Sequence, residues 1–108
     1  MTVQEHTLKT WPVYYDAVAR GDKPFEVRRD DRGFQKGDIL VLQRTKERHP
    51  HDLDYDYQGR VRHQLRRRIT YVLTGGQFGI EPGYVVLGLE PEYPNPGRAA
   101  TVSARTEP

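Results

Sequence analysis

The chain predicts a small, mostly β domain of the α+β class, with about five twisted strands curled into a partly closed barrel and one helix packed on it. Three observations carry that expectation. One segment, 11–20, spaces its large side chains with a helical period. The other apolar residues fall in short alternating or continuous runs. Turns rich in glycine and proline separate those runs. At 108 residues, the chain has the length of a single domain.

Taken in order, residues 5–9 ("EHTLK") read as a first short strand. Thr10 offers a helix N-cap hydroxyl, and Pro12 falls in the first turn, where its missing N–H does no harm. Trp11, Tyr14, Tyr15 and Val18 then recur at i, i+3, i+4 and i+7, one helical face that reads as core. Gly21 supplies a left-handed stop. Past Pro24, residues 25–29 alternate, with Phe25 and Val27 on one face and Glu26 and Arg28 on the other. "DDRGFQKGD" is a turn, and 39–42 ("ILVL") is a buried strand. Residues 44–59 read as a polar, irregular hairpin excursion.

The longest strand pattern covers 60–73. Val61, Leu65, Ile69, Tyr71 and Leu73 point one way, interrupted by His63 and Arg67. Arg60, Arg62, Arg66 and Arg68 point the other way. "TGGQFGIEPG" is a loop, and 84–89 is the last strand. These elements place the domain at 1–90. Residues 91–108 lose periodicity, turn proline-rich, and read as a disordered C-terminal tail.

Charge is distributed unevenly. The formal net charge is +2, yet residues 60–68 hold five arginines and no acid, which leaves the rest of the chain net acidic. A basic face of Arg60, Arg62, Arg66 and Arg68 points to a polyanion, unless it is only a solvated strand face. The chain has no cysteine, so disulfides, thiolate metal sites and thiol nucleophiles are excluded. That fits a cytoplasmic protein. No apolar run has the length of a membrane span, and no signal-peptide core is expected.

Several motifs fail on inspection. Asp52, Asp54 and Asp56 have calcium-loop spacing, but Tyr57 stands where a glycine is needed and His63 where a glutamate is needed. His49 and His51 have no further ligand at a recognisable spacing, so no metal or other cofactor is expected. "TGGQFG" lacks the GK[ST] ending of a phosphate loop. The single serine, Ser103, lies in the expected tail, which removes serine-triad chemistry. Hydrolysis would fall to a lysine, a carboxylate base or a threonine. Attention therefore rests on Lys23, Glu26 and Arg28. On a strand, side chains two apart can meet. Exposed, such a pair means little; in a cavity its desolvation demands a reason.

The strings "HTLKTWPVYYDAVARGDKPFEVRRDDRGFQKGDILVL" and "ITYVLTGGQFGIEPGYVVLGL" together resemble the ASCH domain, a small relative of the PUA domain, in a bacterial and phage subfamily of unknown function. The resemblance spans 5–89 apart from 44–60. It rests on Leu8-Lys9, Gly21, Lys23 with Glu26-x-Arg28, Asp31-Arg32, Gly37-Asp38 and Gly75-Gly76-x-Phe78-Gly79. It implies a five- or six-stranded mixed PUA-like barrel with a cleft beside the strand of Glu26 and Arg28. The expected ligand cleft comprises Lys9, Lys23, Glu26, Arg28, Arg32, Gln77 and Phe78. The expected partner is RNA or another nucleic acid, or a nucleoside-like small molecule, with no membrane. An enzymatic branch that deacetylates 4-acetylcytidine carries Lys-x-x-Thr-x-Arg. Lys23 and Arg28 match it, but Glu26 replaces its nucleophilic Thr. Lys23 and Glu26 are the catalytic candidates if the chain is instead a small metal-independent amidohydrolase or ribonuclease.

Overall fold

The computed structural model describes residues 2–92. Its elements run β1 (Glu5–Thr10), α1 (Pro12–Ala19), β2 (Phe25–Arg29), β3 (Ile39–Lys46), β4 (His49–Leu53), β5 (Gln64–Thr74) and β6 (Tyr84–Pro91). Six strands form one mixed sheet in the order β1-β3-β5-β6-β2, with β4 paired to β3. β1 and β3 are parallel, and the other pairs are antiparallel. Among the described residues the fold is thus mostly β with one short helix, of the α+β class. No helix among the described residues is long and apolar enough to cross a membrane.

The expected barrel is not closed. β1 and β2 end the strand order without pairing to each other. Arginine side chains bridge the seam between them instead. Arg28 donates from Nη2 to the Lys9 carbonyl and to Thr10 Oγ1, both at 3.1 Å. Arg32 donates from Nη1 to the Thr7 carbonyl at 2.9 Å. A ladder would bring these strands to about 4.8 Å; a long side chain reaching across keeps them apart and leaves a cleft.

The core follows the strand alternation. His6, Leu8 and Thr10 of β1 are buried between exposed neighbours. Leu8 joins Tyr15, Val18, Phe34, Leu40, Leu42, Ile69, Val85, Leu87 and Leu89 in one cluster. β3 pairs with three strands, and its first four residues are all buried. The excursion expected at 44–59 is more regular than its polarity suggested. β3 continues to Lys46 and turns into β4, because pairing to a neighbour satisfies backbone groups whatever the side-chain polarity.

The helix is shorter than 11–20, and its cap differs from expectation. The N-cap residue is Trp11, with no side-chain capping bond, and Pro12 opens the helix. Thr10 is the buried last residue of β1, and its hydroxyl donates to the Leu8 carbonyl. Gly21 does end the helix. At φ +87°, a conformation that favours glycine, its N–H reaches the Val18 carbonyl at 3.1 Å. Arg44 of β3 donates from Nε and Nη2 to the two oxygens of Asp16, at 2.8 and 3.0 Å, and so fastens the helix to the sheet.

Two strand-face expectations change at β5. The strand begins at Gln64, so Arg60 and Arg62 lie in the preceding loop. Thr70 is an extra residue between the pairs Ile69–Leu89 and Tyr71–Gly88. This β-bulge reverses the later alternation. Tyr71, expected inward, is 63% exposed, and Val72 packs against the core instead. Arg67 shares the inward parity of Ile69. Its guanidinium donates to the Val18 carbonyl in the last turn of α1 at 3.3 Å, and burial pushes its pKa below the ordinary arginine value. The expected tail begins inside β6, which runs through Pro91, and Glu92 bonds to Arg66. Residues 93–108 lie outside the described residues.

Candidate functional site

The seam between β1 and β2 opens into a cleft of about 410 Å³ lined by Lys9, Thr10, Trp11, Tyr14, Lys23, Glu26, Val27 and Arg28. Three local features build it. β1 delivers Lys9 and Thr10, and the start of α1 immediately after it delivers Trp11 and Tyr14. The alternation of β2 turns Glu26 and Arg28 inward while Phe25 and Val27 stay exposed. Lys23 follows the helix stop and is held where its N–H meets the Ala17 carbonyl.

Glu26 is the centre of the charged cluster and is only 3% exposed. Lys23 Nζ donates to Glu26 Oε2 at 2.7 Å and to the Phe25 carbonyl at 2.9 Å. Arg28 Nε donates to Glu26 Oε1 at 2.9 Å. Such a buried carboxylate is tolerable because both oxygens are met by cations. Lys23 also lies 5.4 Å from the Tyr14 ring centroid and 5.0 Å from that of Phe25, within cation–π range. Trp11 and Tyr14 stack on each other at 6.0 Å and 19°. They are 48% and 46% exposed, so this half of the helical stripe leaves the core and forms one wall of the cleft. Only Tyr15 and Val18 of that stripe are buried.

The structure brings Lys9, Lys23, Glu26 and Arg28 together in the lining of one cleft. It does not bring Arg32, Gln77 or Phe78 into the cleft lining. Arg32 ties the turn to β1. Gln77 donates to the Thr74 carbonyl inside its own loop, and Phe78 is exposed at a positive φ of 52°. Sequence reasoning missed Thr10, Trp11, Tyr14 and Val27. The available signal was position. Trp11 precedes Pro12 and Tyr14 lies in the first turn, so both sit at the end of the helix joined directly to β1.

The arginine row has another character. Arg60 pairs with Asp56 at 3.3 Å, Arg62 with Asp54 at 3.5 Å and Arg68 with Glu90 at 3.4 Å. Arg66 pairs with Glu5 at 2.7 Å and also with Glu92. The Arg66 guanidinium holds both of its carboxylates below their usual range. Arg60 and Arg62 thus face acids of their own loop, while Arg66 and Arg68 face carboxylates brought in from elsewhere in the chain. Asp54 and Asp56, two of the apparent calcium ligands, are spent on these pairs. Among the described residues, no three His, Asp or Glu side chains gather as a metal site would need.

The profile of a domain of unknown function, DUF3850, matches residues 5–89. The chain belongs to this family. No curated protein matches it. The DUF3850 span runs from the first residue of β1 into the end of β6 and includes every residue that lines the cleft. Glu92, which pairs with Arg66, falls outside it.

Proposed function

We propose that this DUF3850 chain is a nucleic-acid-binding module that takes single-stranded nucleic acid, RNA foremost, in the cleft between β1 and β2. One observation carries the reading: an exposed, stacked Trp11–Tyr14 pair stands beside a cluster of cations in the same cleft. Aromatic faces accept any base by stacking, and cations along a groove track the backbone. Lys9, Lys23 and Arg28 against Glu26 leave the lining net positive. A cleft beside the strand of Glu26 and Arg28 is also what the PUA-like resemblance implies, although the sheet is not closed into a barrel. A cytoplasmic place suits the cysteine-free composition.

Trp11 is the chain's single tryptophan, so its fluorescence reports on the cleft. Titration with a mixed-sequence eight-nucleotide RNA is expected to quench it saturably. With two or three phosphates held, log affinity should fall against log salt with a slope of about −1.5 to −2. An RNA that leaves Trp11 fluorescence unchanged at low salt would refute the reading.

A second reading, hydrolysis of a modified nucleoside of the 4-acetylcytidine type or of RNA, draws on the close Lys23–Glu26 contact. Glu26 would act as base toward water. Incubating 4-acetylcytidine and short RNAs with wild type and Glu26→Gln tests it. Equal turnover by both proteins, or none by either, removes Glu26 as a catalyst on these substrates.

A further inference from the structure

We infer that Glu26 is a positioning residue, holding Lys23 and Arg28 as a fixed pair of cations whose remaining N–H donors seat one phosphate group of the ligand. The inference rests on the cleft being the ligand site and names the chemistry recognised there.

The two cations have more N–H donors than the fold uses. Lys23 has three N–H groups, of which one meets Glu26 Oε2 and one the Phe25 carbonyl. Arg28 has five. Its Nε–H meets Glu26 Oε1, and Nη2 meets the Lys9 carbonyl and Thr10 Oγ1. Among the described residues, three donors are left: one on Lys23 and the two on Arg28 Nη1. Both side chains line the cleft and are only partly exposed, so these donors are fixed at its wall. A phosphate offers acceptor oxygens for all three, and charge-assisted bonds of this kind are the strong ones.

Glu26 is placed to hold the two cations together. Each of its oxygens is engaged by a cation, and its side chain is nearly closed to solvent. Without it, Lys23 and Arg28 would repel each other across the floor of the cleft. With it, the cluster keeps one surplus positive charge, in a fixed geometry. Arg28 also fixes the width of the seam, because the same guanidinium bonds β1. The seat and the mouth of the cleft are thus set by one side chain.

The test follows the Arg28 Nε–H resonance by NMR in the full chain, with inorganic phosphate as the probe. Wild type should show a distinct, slowly exchanging signal that shifts saturably as phosphate is added. Glu26→Gln should lose both the signal and the shift, and should bind the eight-nucleotide RNA roughly tenfold more weakly. Glu26→Asp keeps the charge on a shorter arm and should fall between the two. A carboxylate that merely opposed the anion would give the opposite result: Glu26→Gln would bind RNA as well as wild type or better, and that would overturn the inference. A wild-type Arg28 signal indifferent to phosphate would overturn it too, even if Glu26→Gln failed to fold. A phosphate response without RNA binding would leave the phosphate seat standing and refute the nucleic-acid reading. RNA binding without a phosphate response would do the reverse.

Discussion

The seam cleft and the arginine row show opposite uses of charge. The row holds four arginines close together in sequence, yet its partners are five carboxylates: Asp54, Asp56, Glu5, Glu90 and Glu92. The cleft holds three cations scattered from Lys9 to Arg28; Lys23 and Arg28 share one buried carboxylate, and Lys9 donates to the His51 carbonyl. Density of charge along a sequence is therefore a poor measure of free charge on a surface. What counts is which acids the fold brings alongside. The row is mostly exposed pairing, worth little to stability. The cleft cluster is largely desolvated, and through Arg28 it ties β2 to β1.

The largest effect that would sharpen this contrast is on stability. Arg28→Ala removes one partner of a buried carboxylate and the clasp between β1 and β2, and should cost on the order of 3 kcal/mol. Arg62→Ala in the row should stay within about 0.5 kcal/mol of wild type. Urea melts of both variants make the comparison, and equal losses would break it.

Next in size is the stacking wall. Tyr14→Ala should weaken RNA binding by about 1–3 kcal/mol, read from Trp11 quenching. Its melting temperature should change little, because the ring is half exposed. Affinity unchanged by this substitution would remove the aromatic wall from the binding surface.

A smaller effect is expected from the double substitution Arg62→Ala with Arg66→Ala. If both arginines are neutralised by their own carboxylates, the salt dependence of RNA binding should keep nearly its wild-type slope. A slope flattened by more than about 1, the share of one to two phosphates, would mean that the row carries the strand after all.

The smallest effect is a pH dependence. Glu5 and Glu92 lie below the usual carboxylate value of 4.5 through hydrogen bonds from Arg66. A lowered folded-state pKa gives stability that is present above 4.5 and is lost as pH falls through the depressed values. Wild type and Arg66→Ala should therefore converge in stability under acid. Protonation also frees Arg66, so the row should gain affinity for polyanions only there. A gap between the two proteins that persists at low pH would show that Arg66 acts through something other than these pairs.

Much of the fold was legible because it depends on local pattern. The 25–29 alternation put Glu26 and Arg28 on one face whatever the tertiary context, and Gly21 could be read as a stop. The site was half legible for the same reason. Lys23, Glu26 and Arg28 lie within one strand's reach of each other, and Lys9 came with them by resemblance. Trp11 and Tyr14 were hidden because a helical stripe shows which residues share a side, not how far along it the core extends. α1 is only eight residues long, and its first turn overhangs the seam. Tyr71 was misplaced because one inserted residue at Thr70 leaves no mark in composition.

By itself, the sequence determined a mostly β domain with one helix and a strand that carries Glu26 and Arg28 on one face. These follow from periodicity, turn chemistry and the conformational limits of glycine and proline, all properties of neighbours in the chain. Tertiary structure decided that the sheet stays open, that arginine side chains rather than a backbone ladder span the gap, and which charges remain unmatched. Those outcomes depend on pairs such as Arg28 with Thr10 and Arg66 with Glu5, far apart in sequence. Only the packing of the whole sheet sets the distances between them.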